Sequence, residues 1–457
     1  MTVAPITISL LELFRIGPGP SSSHTVGPMR AAHRFREGCI RDSIRPARLQ
    51  VELQGSLSAT GKGHGTDRAV LAGLCGEEPE TCDTDALLAI RETLSEDPVI
   101  PWGDGATRVC ADDVLFRSLG ECPTSDLPHP NTLVCRAFDE DGVLLREEAT
   151  CSVGGGFVLA AGSVGQPVVR SRTPRFPFHN GDSLLETAKR HELTLGEVVL
   201  ANEREWQERE GGIEAGLDRI MTEFRSCIER GLRRVGELPG GLGVVRRAGA
   251  LNAKITAGNI APDYAPIAKA QAYAYAINEE NAAGGRVVTA PTNGAAGIFP
   301  AVLVEAADRL DLDRQMVHRA IATGAAIAVV IKTHASLSGA EVGCQGEVGS
   351  ATAMAAAALC EILGGGPDEV ENAAEIGLEH NLGLTCDPIR GLVQAPCIER
   401  NAMGVAKAWS AAHLALHSTG RGVVSLDRVI RVMKRTGQDM LGEYKETGEG
   451  GLALPEC

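Results

Sequence analysis

Three cysteines carry the first chemical signal. Cys344 lies in Glu341-Val-Gly-Cys344-Gln-Gly-Glu-Val-Gly-Ser350, Cys386 in Leu-Thr-Cys386-Asp-Pro-Ile-Arg, and Cys397 in Gln-Ala-Pro-Cys397-Ile-Glu-Arg-Asn. Each stands in a turn beside Gly or Pro, where the backbone is not committed to a helix and the sulfurs are free to converge on one point. Three thiolates are one short of the four that close an iron–sulfur cluster site. Three protein ligands with one open position is also how a catalytic metal is presented to substrate. The competing interpretation is that these are small buried hydrophobes, as most intracellular cysteines are, and their spacing matches no short zinc or ferredoxin signature.

A second set of candidates is polar. Gly17-Pro-Gly-Pro-Ser-Ser22-Ser23-His24-Thr-Val-Gly-Pro28 predicts a rigid loop running into a helix through Met29–Phe35. Hydroxyls and free N–H groups at such a start bind anions, a carboxylate included; an ordinary N-cap with spare serines is the alternative. In Thr60-Gly-Lys62-Gly-His64-Gly-Thr-Asp67 the glycines leave His64 without a bulky neighbour, which makes it a candidate base. The loop lacks the Gly-x-x-x-x-Gly-Lys-Ser/Thr order of a nucleotide site. His129 sits in a Pro-His-Pro-Asn loop, and Ser152 opens a run of glycines. Thr292 and Asn293, in Thr-Ala-Pro-Thr292-Asn293-Gly, are good helix caps and equally able to hold a carboxylate at a helix N-terminus.

These groups need elements to position them. A chain of 457 residues exceeds what one core supports, so two or three domains are expected. Residues 1–165 mix strand-like alternation (Arg48–Ser56, Val109–Phe116, Thr132–Phe138, Val143–Glu148) with helical spacing (Thr66–Leu74, Thr84–Leu94) and read as an α+β domain. Residues 166–180 read as a linker, and 181–457 as a larger all-α domain of roughly ten helices. Aromatic residues make up only 4% while glycines number 54, so the core must be Ala, Val, Leu and Ile packed closely around Gly. A net charge of −15 without a basic patch argues against nucleic acid as a partner. The apolar runs Ala320–Ile331 and Ala351–Leu359 are too short or interrupted to span a bilayer. No signal peptide is read at the N-terminus, and an odd number of cysteines, 13, points to the reducing cytoplasm.

The Ser-Ser-Ser-His loop, the Lys-Gly-His-Gly loop, the Ser-Val-Gly-Gly-Gly segment, the Thr-Ala-Pro-Thr-Asn-Gly segment and all three cysteine motifs together resemble the single-chain, iron–sulfur-dependent L-serine dehydratases (L-serine ammonia-lyases). The resemblance implies conversion of L-serine to pyruvate and ammonia, a homodimer, and a [4Fe–4S] cluster on Cys344, Cys386 and Cys397 with one iron open to substrate. It also implies a first domain similar to an allosteric substrate-binding domain of phosphoglycerate dehydrogenases, and an active site between the domains. His64 is then the base at the α carbon, with His24, His129 and Ser152 in support. Ser22, Ser23, Lys62, Thr292 and Asn293 are candidates for holding substrate. Cys457, at the end of a Gly-rich segment, is expected to fold back as a fourth thiolate when substrate is absent. Two other functions remain open: a pyridoxal-phosphate dehydratase working through Lys62 or Lys254, and a serine-binding regulatory protein without catalysis.

Overall fold

The computed structural model describes residues 4–165, 172–206, 212–418 and 421–454. The N-terminal half is a sheet with helices on it. Its strands run in the order Val99–Trp102, Gly105–Arg108, Arg48–Gly55, Asn131–Phe138, Leu144–Ser152, Val158–Ala160, with Val114–Phe116 pairing alongside Arg48–Gly55. Alternation sets the inner face: Leu49, Val51 and Leu53 pair with Ala137, Cys135 and Leu133, and all six are buried. The helices Gly27–Arg41 and Thr66–Cys75 cover that face through Phe35, Leu71 and Leu74.

The second half is helical. Among the described residues it holds eleven helices of nine residues or more, one beyond the ten that periodicity predicts. Val348–Ile362 lies at the centre, with every residue buried. Its Ala-rich surface lets Ile298–Leu310, Arg314–His334, Pro367–Glu379 and Cys397–Leu416 approach it closely. Arg314–His334 is long and apolar enough to cross a membrane, yet 78% of its apolar window is buried inside this core.

Three differences from the sequence reading have physical causes. The unforeseen helix Ala248–Thr256 is capped from afar: Glu279 Oε1 accepts from the backbone N–H of Arg247 at 2.7 Å and of Ala248 at 3.3 Å. The single strand expected over Val109–Phe116 is broken by a turn at Ala111–Asp113, where the Asp113 carboxylate accepts from Cys110 N–H at 3.3 Å. The largest difference concerns the first residues. Ile6, Leu10, Leu13, Phe14 and Ile16 are buried in the helical core, not in the sheet domain. Phe14 stacks on Phe299 with ring centroids 5.4 Å apart, and Ile16–Pro18 pairs antiparallel with Arg286–Val288. Their apolar stripe finds a partner only among the helices, because the sheet's buried face is already covered.

Candidate active site

Two of the three thiols meet, Cys344 and Cys386, and Cys397 lies in the field of Cys344. Cys344 occupies a 3-10 turn, Gly343–Gln345, just after the short helix Gly339–Val342. Cys386 is pinned by its own backbone: its N–H donates to Tyr444 O at 2.8 Å and its carbonyl accepts from Glu446 N–H at 2.7 Å. Cys397 opens the helix Cys397–Leu416. All three are buried. The Cys344 and Cys386 thiols each donate to Glu347 Oε2 at 3.9 Å, and the donor atoms of these three residues lie within 4.8 Å of one another. The hydrogen bond to Cys344 and then burial raise the Cys386 thiol well above its usual range; burial and the field of Cys344 do the same to Cys397.

Gly339 faces this cluster. A Cβ there would stand 3.0 Å from Cys386 Sγ, 3.1 Å from Glu347 Oε2 and 3.2 Å from Glu446 Oε2, so the missing side chain keeps space open beside the sulfur. Glu446 joins this space to the other domain. Its Oε1 lies 3.5 Å from His24 Nδ1 and 3.7 Å from His64 Nε2. Burial, and then the fields of Glu347 and Cys344, push its carboxyl well above the usual carboxylate range.

The hydrogen-bond partners fix the tautomers of all three candidate histidines. His64 Nδ1 lies 2.9 Å from Thr60 O, a carbonyl that can only accept, so Nδ1 carries the proton and Nε2 the lone pair. That Nε2 is buried and has no hydrogen-bond partner. His24 stacks on His64 with ring centroids 4.5 Å apart, but both its nitrogens are occupied. Ser56 Oγ donates to Glu446 O at 2.7 Å and therefore accepts from His24 Nε2–H at 3.0 Å, leaving Nδ1 to accept from Ser23 Oγ at 2.9 Å. His129 is the reverse of His64: Nδ1 accepts from Asn131 N–H at 2.9 Å, so Nε2 bears the proton, 3.5 Å from Glu341 Oε2. Of the three, only His64 presents a free basic nitrogen.

Burial holds His24 and His64 neutral: it lowers His24 well below 6.5 and His64 to about 4, the Thr60 bond opposing in the second case. A histidine whose folded value is depressed supplies stability that is complete above the unfolded value near 6.5 and is lost as pH falls towards the folded one. His64 alone should cost about 3 kcal/mol between pH 6.5 and 4. Urea midpoints measured across that window should drop, and His64→Gln should flatten part of the drop; an unchanged slope in the variant would remove His64 from the effect.

The other candidates are placed as follows. Ser21, Ser22, Ser23 and His24 are buried in a π-helical turn, Ser22–Val26 and its cap, where Ser21 Oγ accepts from His24 N–H at 3.0 Å. Thr292 is buried beside Glu347, and its hydroxyl has no hydrogen-bond partner. Asn293 is fully employed elsewhere, donating to Pro18 O at 3.1 Å and accepting from Thr289 Oγ1 at 2.8 Å, so it fixes the N-terminal arm. Ser152 Oγ is buried without a partner against Gly27 at the start of the Gly27–Arg41 helix. Lys62 is exposed, with Nζ 5.5 Å from the Phe116 ring centroid, and it lines a cavity of about 160 Å³ that reaches His64. Lys254 is exposed too, so neither lysine that a Schiff base would use is buried at the thiols. Cys457 lies outside the described residues.

Four functional-looking groups escaped the sequence reading: Glu347, Glu446, Asn131 and Arg400. Asn131 Nδ2 donates to Ser152 O at 3.3 Å and reaches Ser338 Oγ of the other domain at 3.5 Å. Arg400 donates to Thr385 O at 2.6 Å and adds a positive field at Cys397. Glu347 shares the Cys344 motif, and its place between two glycine-flanked turns was the one available signal. Glu446 had none, because only the folded-back segment brings it to the histidines.

An imidazole with a free lone pair, a buried carboxyl group and three buried thiols thus lie close to one another, contributed by both halves of the chain. Comparison with known proteins gives the family. The serine dehydratase beta chain model matches residues 9–163 and the serine dehydratase alpha chain model residues 190–453. L-serine dehydratase of Streptomyces coelicolor is 49% identical over 98% of this chain and 99% of its own length. The Mycobacterium tuberculosis L-serine dehydratase is 46% identical, over 98% of both chains. L-serine dehydratase 1 of Escherichia coli is 41% identical, over 98% of this chain and 99% of its own. The chain belongs to the L-serine dehydratase family, and the expected α+β domain followed by a mostly helical one is what the structure has.

Proposed function

We propose that this chain removes water and then ammonia from L-serine, yielding pyruvate, at the interface between the two domains. The observation that carries the reading is the unpartnered, buried Nε2 of His64 beside Glu446, which in turn borders the three thiols. Three buried soft donors, one of them Cys386 beside the space that Gly339 leaves open, fit an iron–sulfur group. A [4Fe–4S] cluster held by Cys344, Cys386 and Cys397 would supply a Lewis acid for the serine hydroxyl, otherwise a poor leaving group.

The chain's own residues do the rest. His64 Nε2 takes the Cα proton, and its Nδ1–H bond to Thr60 keeps the ring in the accepting tautomer. Glu446 Oε1, 3.7 Å away, lies beside the nitrogen that takes the proton. His129 Nε2–H donates a hydrogen bond to the departing oxygen, and the proton that His64 took is passed to it, so that water leaves. The 2-aminoacrylate formed tautomerises and takes up water to give pyruvate and ammonia. Ser22 and Thr292 hold the substrate carboxylate, Ser23 orients His24, and Lys62 draws the anion into the cavity mouth. Burial of the whole assembly excludes bulk water from the base. Pyruvate release from L-serine by anaerobically reconstituted protein tests this directly; protein with bound iron and sulfide that releases none would end the reading.

Cys457 enters as a proposed fourth thiolate at rest. The described chain reaches Leu454, and Leu452 N–H donates to Asp387 Oδ2 at 2.8 Å, next to Cys386, so this segment is already docked at the thiols. A thiolate held there competes with serine at an effective concentration set by a short tether. Cys457→Ser should leave protein whose cluster assembles, decays several-fold faster in air, and shows an altered serine saturation curve. Identical air half-life and curve shape would remove the residue from the site.

A further inference from the structure

A second cavity, of about 170 Å³, lies on the other side of the N-terminal arm. It is lined by Arg15, Ile16, Val26, Arg30, His33, Arg34 and residues 78–80. Its chemistry is unlike the rest of the molecule. The protein carries a net charge of −15, and most of its arginines near the surface pair with carboxylates. The arginines of this cavity do not. Arg15 lies over the Phe157 ring, 4.6 Å from its centroid, with its Nε buried and unpartnered. Arg30 spends its hydrogen bond on the Gly156 carbonyl, at 3.2 Å. Arg34 makes no ion pair among the described residues.

Arg30, His33 and Arg34 stand three and four apart on the Gly27–Arg41 helix, so their side chains share one face. The Arg30 and Arg34 guanidiniums, four apart, repel, a cost that persists only where something offsets it. The two carboxylates at the rim, Glu78 and Glu80, offset it only in part, through their fields at Arg30. Glu78 is engaged with His33 at 3.3 Å and Glu80 with Arg219 at 3.8 Å, and both are largely exposed. His33 Nδ1 is a further buried nitrogen without a partner. Several planar, multidentate donors with unspent N–H groups facing one enclosed space is the chemistry of oxyanion recognition. The volume is below the roughly 300–1,000 Å³ of sites for drug-sized ligands.

We propose that this cavity binds a small dianion, a phosphate or dicarboxylate group held by Arg15, Arg30 and Arg34, and that its occupancy tunes the affinity of the distant site for serine. The connection is short. Arg15 precedes the strand Ile16–Pro18, which pairs with Arg286–Val288 just ahead of Thr292. Val26 ends the turn that carries Ser22, Ser23 and His24. One ligand at this cavity therefore touches the roots of two loops of the interface site. The tuning rests on the serine reaction proposed above; the binding does not.

The test is calorimetry on the anaerobic holoenzyme with inorganic phosphate and with malonate, sodium chloride at matched ionic strength serving as control. Phosphate, alone or together with malonate, should bind at one site per chain. Binding of phosphate alone marks a phosphate ester as the natural ligand; binding of both marks dianions in general. Arg34→Gln and Arg15→Gln should each weaken binding about tenfold, leave serine turnover without phosphate unchanged, and abolish a phosphate-induced shift in KM for serine. Arg34 is exposed, so its variant tests the site even if Arg15→Gln disturbs the arm. Heats equal to those of chloride, or equal affinity in both variants, would overturn the site. Phosphate binding that leaves KM untouched would overturn the tuning, and L-serine displacing phosphate would show an amino-acid pocket instead.

Discussion

Changing Cys344, Cys386 or Cys397 singly to Ala should give folded protein that lacks both the brown chromophore and measurable pyruvate formation. Each thiol is buried, and Ala removes one of the three sulfurs proposed to hold the cluster, so the expected loss is of the group and not of the fold. Removal of a small buried side chain costs stability modestly, and far-ultraviolet circular dichroism should match the parent. Iron and sulfide analysis decides the matter. A variant retaining full iron, sulfide and turnover is not missing a ligand. The three should also behave alike, because Cys344 and Cys386 share Glu347 Oε2 and Cys397 lies in the field of Cys344. A single tolerant position would separate that cysteine from the set.

His64→Ala should behave in the opposite way. Iron, sulfide and spectrum are kept, while kcat falls by about two to four orders of magnitude, the usual worth of a positioned general base. The tautomers make this more specific than a count of histidines. His24→Ala should act mainly by loosening Ser56 and Glu446, and His129→Ala by losing a donor. Because burial places His64 at about 4, the acid limb of kcat/KM should fall below the 6.5 of an ordinary histidine. An acid limb above 6.5, or near-parental turnover in His64→Ala, would move the role of base elsewhere.

The cysteine motifs, the Ser-Ser-Ser-His loop and the Lys-Gly-His-Gly loop were legible because Gly and Pro punctuate them and leave their side chains without local structural work. Helices with sustained periodicity, such as Arg314–His334, were equally legible. What escaped depended on contacts distant in sequence. Ala248–Thr256 needed the Glu279 carboxylate as its cap. Glu446 acquired meaning only when its backbone paired with Cys386. Asn293 looked like a substrate ligand because its type suits that task, yet its amide is spent on Pro18 and Thr289. The glycines around His64 marked it as a candidate, but which nitrogen of each ring is free could not be read, since that lies in whether a carbonyl or an N–H faces Nδ1.

The arm from Ile6 to Pro18 belongs by sequence to one half and by packing to the other. The halves are thus stitched through each other, and the peptide between residues 165 and 172 is not what keeps them together. A protease nick there should release nothing: both fragments should co-elute, bound by the Phe14 plug and the Ile16–Pro18 strand. A single chain is then a convenience of synthesis. The same machine could be made as two polypeptides, provided that the cut falls after the arm, and a cut placed before Arg48 would divide the arm and its histidine turn from the sheet they serve.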